Sequence, residues 1–346
     1  MLSKVISQAN IDHVEKWFER ADKIVIVSHV SPDGDAIGSS LAWSHVLEHS
    51  FGLEVSCIIP NRYPGFLAWQ PHISEVLIYK DSPEEAARVV SEADIIFCLD
   101  FNLIDRLENL AEAIKENTTA KRVLIDHHLN PPAEFDLAFS HPELCSTSYL
   151  VYTIVEDLVG TDALDTDAAS NLYVGIMTDT GNFSFSSLTP DLFRAVAVLV
   201  EKGIDISAIN TSVYNTFTED RVRLLGHSLC NKMTMVDHGR AAYISLTERE
   251  MRKFNFQLGD SEGFVNYPLT IVGVKISAMF LATRKFIRVS LRSRGETDVN
   301  IFARRYFGGG GHKNAAGGKS FVSMAQTVEY FERVVKEYLA EGGKGE

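Results

Sequence analysis

Residues 23–35 read Lys-Ile-Val-Ile-Val-Ser-His-Val-Ser-Pro-Asp-Gly-Asp. Lys23 to His29 is a run of β-branched residues of strand length with no polar alternation inside it. Such a run suits a strand covered on both faces, as in a parallel sheet. Pro32 and the pair Asp33-Gly34 then turn the chain. Asp35 to Ser50 spaces its apolar residues as a helix, ended near Gly52. The same alternation continues outward. Glu54 to Ile59, Asp94 to Asp100 and Arg122 to Asp126 predict strands, while Pro83 to Ser91 and Leu103 to Lys115 predict helices. Apolar strands alternating with helices make βαβ units around a buried parallel sheet, an α/β fold.

Beyond Thr147 the period changes. To about Leu229 the chain reads as mostly helical, with Thr166 to Met177 and Pro190 to Glu201 showing apolar spacings of three and four. Pro190 stands where a first-turn proline is tolerated and Gly203 where a C-terminal glycine is expected. From Asn231 short strands return (Thr234 to Asp237, Arg240 to Ser245, Ile271 to Phe280, Phe286 to Arg292). They mix with helices at Val299 to Tyr306 and Ala325 to Leu339. A smaller C-terminal α+β domain is expected there, and two domains is the natural count for 346 residues. The expected boundaries are 1–215 for the first domain, 216–230 for a helical linker, 231–340 for the second domain and 341–346 for a disordered glycine-rich tail.

Composition sets limits. With 33 basic and 46 acidic residues the net charge is −13, which excludes a uniformly basic nucleic-acid binder but not a local patch. The richest apolar run, Ile271 to Ala282, is short and carries Lys275, so no membrane association is expected. Residues 1–23 have helical spacing and several acids, without the basic start and apolar core of a signal peptide. Cys57, Cys98, Cys145 and Cys230 form no CxxC pair, and reduced thiols in a cytoplasmic protein are expected.

Four clusters carry the chemistry. His29-x3-Asp33-x-Asp35 begins where a predicted strand ends. Asp100, followed by Phe101-Asn102, closes the next strand, and Asp126-His127-His128 closes another. Asp179, in Met177-Thr178-Asp179-Thr180-Gly181-Asn182-Phe183, closes a helical run. Singly each has an ordinary explanation: Asp33-Gly34 is a turn signal, Asp35 a candidate cap for the helix it starts. Jointly they mean more, because an open parallel sheet places its ligand crevice outside the carboxyl ends of its strands. Five carboxylates gathered there would repel and raise one another's pKa. One or two divalent cations remove that cost. Mixed carboxylate and imidazole donors suit Mn2+ best; Mg2+, Co2+ or Fe2+ fit the same donors, and Zn2+ without thiolates fits less well. A Ser-His-Asp alternative using Ser28 or Ser31 beside His29 lacks the G-x-S-x-G elbow. Phe183 and Phe185 read as core. Residues 61–69, with Tyr63, Phe66 and Trp69, read as surface packing rather than a base-stacking loop. His45, His49, His72, His141, His227 and His238 lack an acidic cluster in sequence and count as background.

The ordered set HVSPDGDAIGS, LDFN, DHH, MTDTGNF and, near the C-terminus, GGGGHKNAAGG resembles the DHH phosphoesterase superfamily. The resemblance is to the branch with a DHH-associated C-terminal domain, which holds bacterial nanoRNase/pAp phosphatases and the larger RecJ exonucleases. It runs from about residue 22 to about 340, and the length resembles the nanoRNase type. Phe101 stands where relatives often carry a smaller residue. The resemblance implies a two-metal site in the cleft between the two domains. His29, Asp33 and Asp100, with Asp179 as a fourth candidate, would hold one ion. Asp35, Asp100, His127 and Asp179 would hold the other, Asp100 bridging. Neighbouring strand-end residues point to opposite sides, so His127 is assigned to metal. His128 is assigned to the substrate phosphate, as proton donor to the leaving oxygen, with Asp126 orienting an imidazole through its free N–H.

Gly308 to Gly318 follows a predicted helix. Four successive glycines let the backbone approach a ligand, and their N–H groups can form an anion nest with His312 and Lys313 beside it. The pattern is not an ATP-binding P-loop. Residues 284–313 hold eight Lys/Arg and two acids, a net +6 that leaves −19 on the rest. Such an island suits a small phosphate-bearing ligand and is too small for a long polynucleotide. Arg304 and Arg305 read as solvated helix charges. The resemblance assigns substrate contact to Arg292, Ser293, Gly310, Gly311 and His312. Its overall implication is a metal-dependent phosphodiesterase, with two Mn2+ (Mg2+ or Co2+ as alternatives). It would degrade very short oligonucleotides to mononucleotides, and pAp to AMP and phosphate. Linear or cyclic dinucleotides, pyrophosphate and polyphosphate are alternative substrates, and a nucleotide-binding sensor is the non-enzymatic alternative. A homodimer is left open.

Overall fold

The computed structural model describes residues 6–129, 133–184 and 188–343. Phe185 and the tail residues 344–346 therefore lie outside the described residues. The chain divides into two compact units, Met1–Thr216 and Phe217–Glu346.

In the first unit the strands are β1 (Lys23–Ser28), β2 (Glu54–Ile59), β3 (Leu77–Ile78), β4 (Ile95–Leu99), β5 (Lys121–Asp126) and β6 (Leu137–Ser140). They form one sheet in the order β3-β2-β1-β4-β5-β6, and every pairing is parallel. This is the doubly wound order, whose direction reverses between β1 and β4. The helices are α1 (Gln8–Phe18), α2 (Gly34–Phe51), α3 (Pro83–Ser91), α4 (Leu110–Glu116), α5 (Thr147–Leu158), α6 (Thr166–Asp179), α7 (Pro190–Glu201) and α8 (Ile206–Tyr214). Strand alternation divides the core. Ile24, Ile26, Phe97, Leu99 and Ile125 face a large cluster with Trp43, Leu150 and Leu172 from α2, α5 and α6. Val25, Val27, Ile96, Cys98 and Leu124 face Ala86, Val90 and Leu110 from α3 and α4. With both faces covered, the strands have no polar side to show, which is why they read as continuous apolar runs.

Two expectations need correction here. The helix expected over Leu103 to Lys115 is a 3₁₀ turn, Ile104–Leu107, followed by the shorter α4. Glu108 between them has φ +51°, which ends the turn, and the Arg106 carbonyl accepts the Val30 N–H at 2.9 Å instead of a helical partner. The cap of α2 is Asp33, not Asp35: its Oδ1 accepts the N–H groups of Asp35 and Ala36, both at 3.1 Å.

α2 and α6 pack with their backbones in contact. A Cβ at Gly38 would overlap the Asn171 carbonyl oxygen. One at Gly175 would overlap Ser148 Oγ and stand 2.7 Å from Asp35 Oδ1. Glycine is required at both places by close approach rather than by its backbone angle.

The second unit carries β7 (Met233–Val236), β8 (Ala241–Leu246), β9 (Ile276–Ala282), β10 (Ile287–Ser293), β11 (Gly310–His312) and β12 (Ala315–Ser320). Their order is β11-β12-β10-β9-β8-β7, mixed in direction. Its helices are α9 (Glu219–His227), α10 (Glu248–Lys253), α11 (Val299–Phe307) and α12 (Met324–Ala340). Phe280, Phe302 and Phe331 meet edge to face in its core. β9 begins five residues later than its apolar run predicts: Ile271 and Val272 are exposed, Val272 almost completely. Gly308 to Gly318 is not an open loop. It holds β11, a two-residue turn and most of β12.

No helix among the described residues is long and apolar enough to cross a membrane. Cys57, Cys98 and Cys145 are buried and Cys230 is exposed, all as free thiols.

Candidate metal centre

β1, β4 and β5 end side by side, and each delivers functional residues at its carboxyl tip. His29 follows β1, Asp100 follows β4, and Asp126, His127 and His128 end or follow β5. His29 and Asp100 therefore flank the point where the strand order reverses. Asp100 turns inward through a left-handed backbone (φ +64°), a conformation that Asp tolerates better than most residues. α2 brings Asp35 in its first turn, next to its cap Asp33. α6 brings Asp179 in its last turn.

Ligating atoms of three sets lie within 4.8 Å of one another: His29, Asp33 and Asp100; Asp35, Asp100 and His127; Asp100, Asp126 and His128. Asp100 belongs to all three. Asp179 joins through Oδ2, 3.2 Å from His127 Nε2. The six expected metal residues are thus together in one unit.

The imidazoles point to a cation. His29 Nδ1 stands 2.9 Å from the Val30 carbonyl, and His127 Nδ1 3.2 Å from the Leu144 carbonyl. A carbonyl only accepts, so both Nδ1 atoms carry hydrogen. Each Nε2 lone pair then faces oxygen lone pairs. His29 Nε2 is 3.3 Å from Asp100 Oδ2, and His127 Nε2 is 3.6 Å from Asp100 Oδ1 and 3.8 Å from Asp35 Oδ2. Only a proton or a cation makes such contacts favourable, and a fixed Nδ1 hydrogen bond is the usual support of a metal-binding Nε2. Asp179 adds to the case, since a carboxylate at a helix C-terminus opposes the helix dipole unless a cation offsets it. The donor set fits one or two divalent cations of the oxygen- and imidazole-preferring kind.

Supporting contacts fix the ligands. Asp35 accepts the backbone N–H groups of Thr147 at 2.6 Å and Ser148 at 2.8 Å, the start of α5. Thr147 Oγ1 donates to Asp100 Oδ1 at 2.9 Å. Asp126 is buried, and its Oδ1 receives His128 Nδ1 at 2.6 Å. The other ring nitrogen of His128, Nε2, stands 3.4 Å from a terminal nitrogen of Arg106. Sequence reading missed Thr147, Ser148 and Arg106. The Ser146-Thr147-Ser148 start of a helix was a usable signal, since it predicts exposed N–H groups. Nothing in the local sequence marks Arg106.

Protonation follows from crowding. Burial and the Asp100 and Asp179 charges push Asp35 well above the ordinary carboxyl range. Burial also opposes the anion at Asp100, but the adjacent histidines His29, His128 and His127 overcome it and hold Asp100 far below that range. Burial opposes a proton on His127, yet Asp179, Asp100 and Asp35 raise its pKa well above the ordinary value, and His29 is raised in the same way by its bond to Asp100. Without metal the site therefore holds protons that a cation must displace. Because the histidine pKa values are raised, these protons are bound as pH falls through the folded-state values. Mn2+ affinity should then fall on going from pH 8 to pH 6, by about tenfold per unit for each proton displaced. Calorimetric titrations in buffers of different ionisation enthalpy measure that release; a pH-independent affinity would refute it.

In the second unit, β10 ends at Arg292 and Ser293. Register pairs Arg292 with Ala315 on β12, and Ala315 with His312 on β11. Residues directly opposite on neighbouring strands share a face, so Arg292 and His312 lie in one row on one face. The glycine N–H groups are partly engaged: Gly309 donates to the Ala303 carbonyl at 3.2 Å and Gly311 to Asn300 Oδ1 at 3.0 Å. That arrangement corrects the expectation of an open anion nest. The buried Ser293 hydroxyl donates to the Thr297 carbonyl at 2.6 Å and accepts from Asn314 Nδ2 at 2.9 Å. Arg305 is paired with Glu341.

Comparison with known proteins gives the family. The DHH family, N-terminal domain, matches residues 23–176, and the DHHA1 domain matches residues 240–341. The bifunctional oligoribonuclease and PAP phosphatase NrnA of Thermus thermophilus is 29% identical over 92% of this chain and 91% of its own length. The protein of the same name from Bacillus subtilis is 27% identical over 86% of this chain and 88% of its own. The crystal structure of an exopolyphosphatase-related protein from Bacteroides fragilis superposes with TM-score 0.91 at 43% identity, covering 97% of this chain and 98% of that one. An acidic and imidazole cluster at the reversal point of a parallel sheet, followed by a DHHA1 domain, thus places the chain in the DHH family of metal-dependent phosphoesterases, with NrnA-type proteins among its relatives.

Proposed function

We propose that the protein is a cytoplasmic phosphodiesterase that degrades very short oligonucleotides to mononucleotides and also converts pAp to AMP and phosphate. The observation that carries the reading is the convergence on Asp100 of His29, Asp33, Asp35, His127 and Asp179. The names of the NrnA relatives supply the substrate class. His29, Asp33 and Asp100 would hold one Mn2+, and Asp35, Asp100, His127 and Asp179 the second. Bound there, divalent cations supply Lewis acidity at phosphorus and acidify the attacking water.

The chain's own residues do the rest. Asp126 fixes the His128 ring through Nδ1, so that Nε2, which stands beside Arg106, is the nitrogen that would meet the substrate. As the phosphorus–oxygen bond to the leaving nucleoside breaks, that oxygen takes the Nε2 proton of His128 in its imidazolium form, which leaves the ring neutral with its Nδ1–H still on Asp126. In the second unit Arg292 and His312 would contact the nucleotide, with the backbone of Gly310 and Gly311 beside them. Ser293 serves by holding Asn314, and through it the β11–β12 turn.

The test is a time course of purified protein with Mn2+ on end-labelled dimers to 24-mers, pAp, cyclic dinucleotides and polyphosphate. Dimers to short oligomers and pAp should be consumed first. Polyphosphate is included because the Bacteroides fragilis relative is called exopolyphosphatase-related; its exclusive hydrolysis would replace the nucleotide reading. Tight nucleotide binding with no product would favour a sensor. His312→Ala should lower kcat/KM on dinucleotides roughly ten- to a hundredfold, the range of a charge-assisted contact. On bis(p-nitrophenyl) phosphate it should change little. Equal losses on both substrates would remove His312 from the nucleotide site.

A further inference from the structure

We infer that Arg106 anchors the substrate's phosphate beside His128, a role that rests on the hydrolase reading above. Its backbone is fixed first. The Arg106 carbonyl accepts the Val30 N–H, and its own N–H donates to the Leu103 carbonyl, both at 2.9 Å. The 3₁₀ turn is thereby tied to the β1–α2 loop that carries Asp33. The side chain then reaches the site, with a terminal nitrogen 3.4 Å from His128 Nε2.

Charge makes the position informative. Arg106 is half-buried, and its guanidinium forms no ion pair with a carboxylate among the described residues. This holds although several carboxylates gather around Asp100 nearby. A guanidinium cannot shed its proton, so a cation held at such a place is suited to an incoming anion. The contact with a ring nitrogen is weak and readily exchanged for a phosphate oxygen, a far better acceptor for a planar donor fork. The neighbouring surface suits the rest of a nucleotide. Asn102 Nδ2 donates to the Leu129 carbonyl at 2.6 Å, joining the loop after β4 to the loop after the DHH motif. Leu129 itself and Leu103, next to Asn102, expose 39% and 51% of their surface. Exposed apolar side chains on these two loops can accept the sugar or base of a nucleotide whose phosphate meets the guanidinium.

The test compares wild type, Arg106→Gln and Arg106→Lys. Binding of 5′-AMP to the Mn2+-loaded proteins is measured by calorimetry, Mn2+ binding alone is measured separately, and kcat and KM are determined on pApA. The expected result is a ten- to a hundredfold weaker AMP affinity and a matching rise in KM for Arg106→Gln. Mn2+ binding should change less than twofold, and Arg106→Lys should recover part of the loss. Wild-type AMP affinity in Arg106→Gln overturns the assignment. So does a parallel loss of Mn2+ binding, which would mark a structural role only. If wild type hydrolysed none of the nucleotides, the hydrolase reading would fall, while the AMP titration would still decide the role of Arg106.

Discussion

Asp100→Asn should lower Mn2+-dependent hydrolysis of dinucleotides by roughly a thousandfold or more. Asp100 stands in three sets of ligating atoms at the strand tips, so in the proposed two-cation site its charge would serve both positions. Removing it takes away several kcal/mol of transition-state stabilisation, and each 1.36 kcal/mol is about tenfold in rate. Asparagine is the informative replacement. It tolerates the left-handed backbone that Asp100 adopts (φ +64°), and its amide oxygen still accepts the Thr147 hydroxyl. The variant should therefore fold. Thermal unfolding with and without Mn2+ separates the two effects: wild type should gain stability from the ion and the variant should gain little. Activity within tenfold of wild type would show that Asp100 does not bridge.

The second large effect concerns the seam between α2 and α6. In an exposed helix Gly→Ala gains about 1 kcal/mol from propensity. At Gly38 the sign should reverse. The new Cβ would overlap the carbonyl oxygen of Asn171, and a backbone atom cannot rotate away. The helices must separate, and overpacking of this kind costs about 3 kcal/mol. For a domain of this size that is a fall in Tm of roughly 6–12 °C. Asp35 and Asp179 ride on the same two helices, so Mn2+ affinity should fall as well. Differential scanning calorimetry and an Mn2+ titration of Gly38→Ala decide the matter; an unchanged or higher Tm would show that the seam yields.

Much of this was legible in the sequence because burial on both faces leaves a strand no polar residue. KIVIVS, EVSCII and KRVLID declare themselves for that reason, and so do the acids and histidines at their ends. Strand order was not legible. Only pairing shows that β1 and β4 are neighbours and that His29 therefore meets Asp100. Glycine misled in the other direction. Gly309 and Gly311 suggest an open loop, yet a Cβ on either would strike the β12 backbone; they are small because two strands meet there. Asn314 was read as part of that loop, although its side-chain amide reaches Ser293, Gly295 and Thr297. Arg106 and Thr147 were invisible for a plainer reason. Their roles are set by partners far along the chain, and no local pattern encodes such a partner.

The capping of α2 also bears on how phosphate could enter. In many doubly wound enzymes the amide end of the helix after β1 receives a phosphate directly. Here that end is already taken by Asp33, and the start of α5 is taken by Asp35. A nucleotide approaching this crevice without cations would meet carboxylates where other proteins offer amides. On the proposed reading, cations would load before nucleotide, because only they turn this rim of carboxylates into a seat for phosphate.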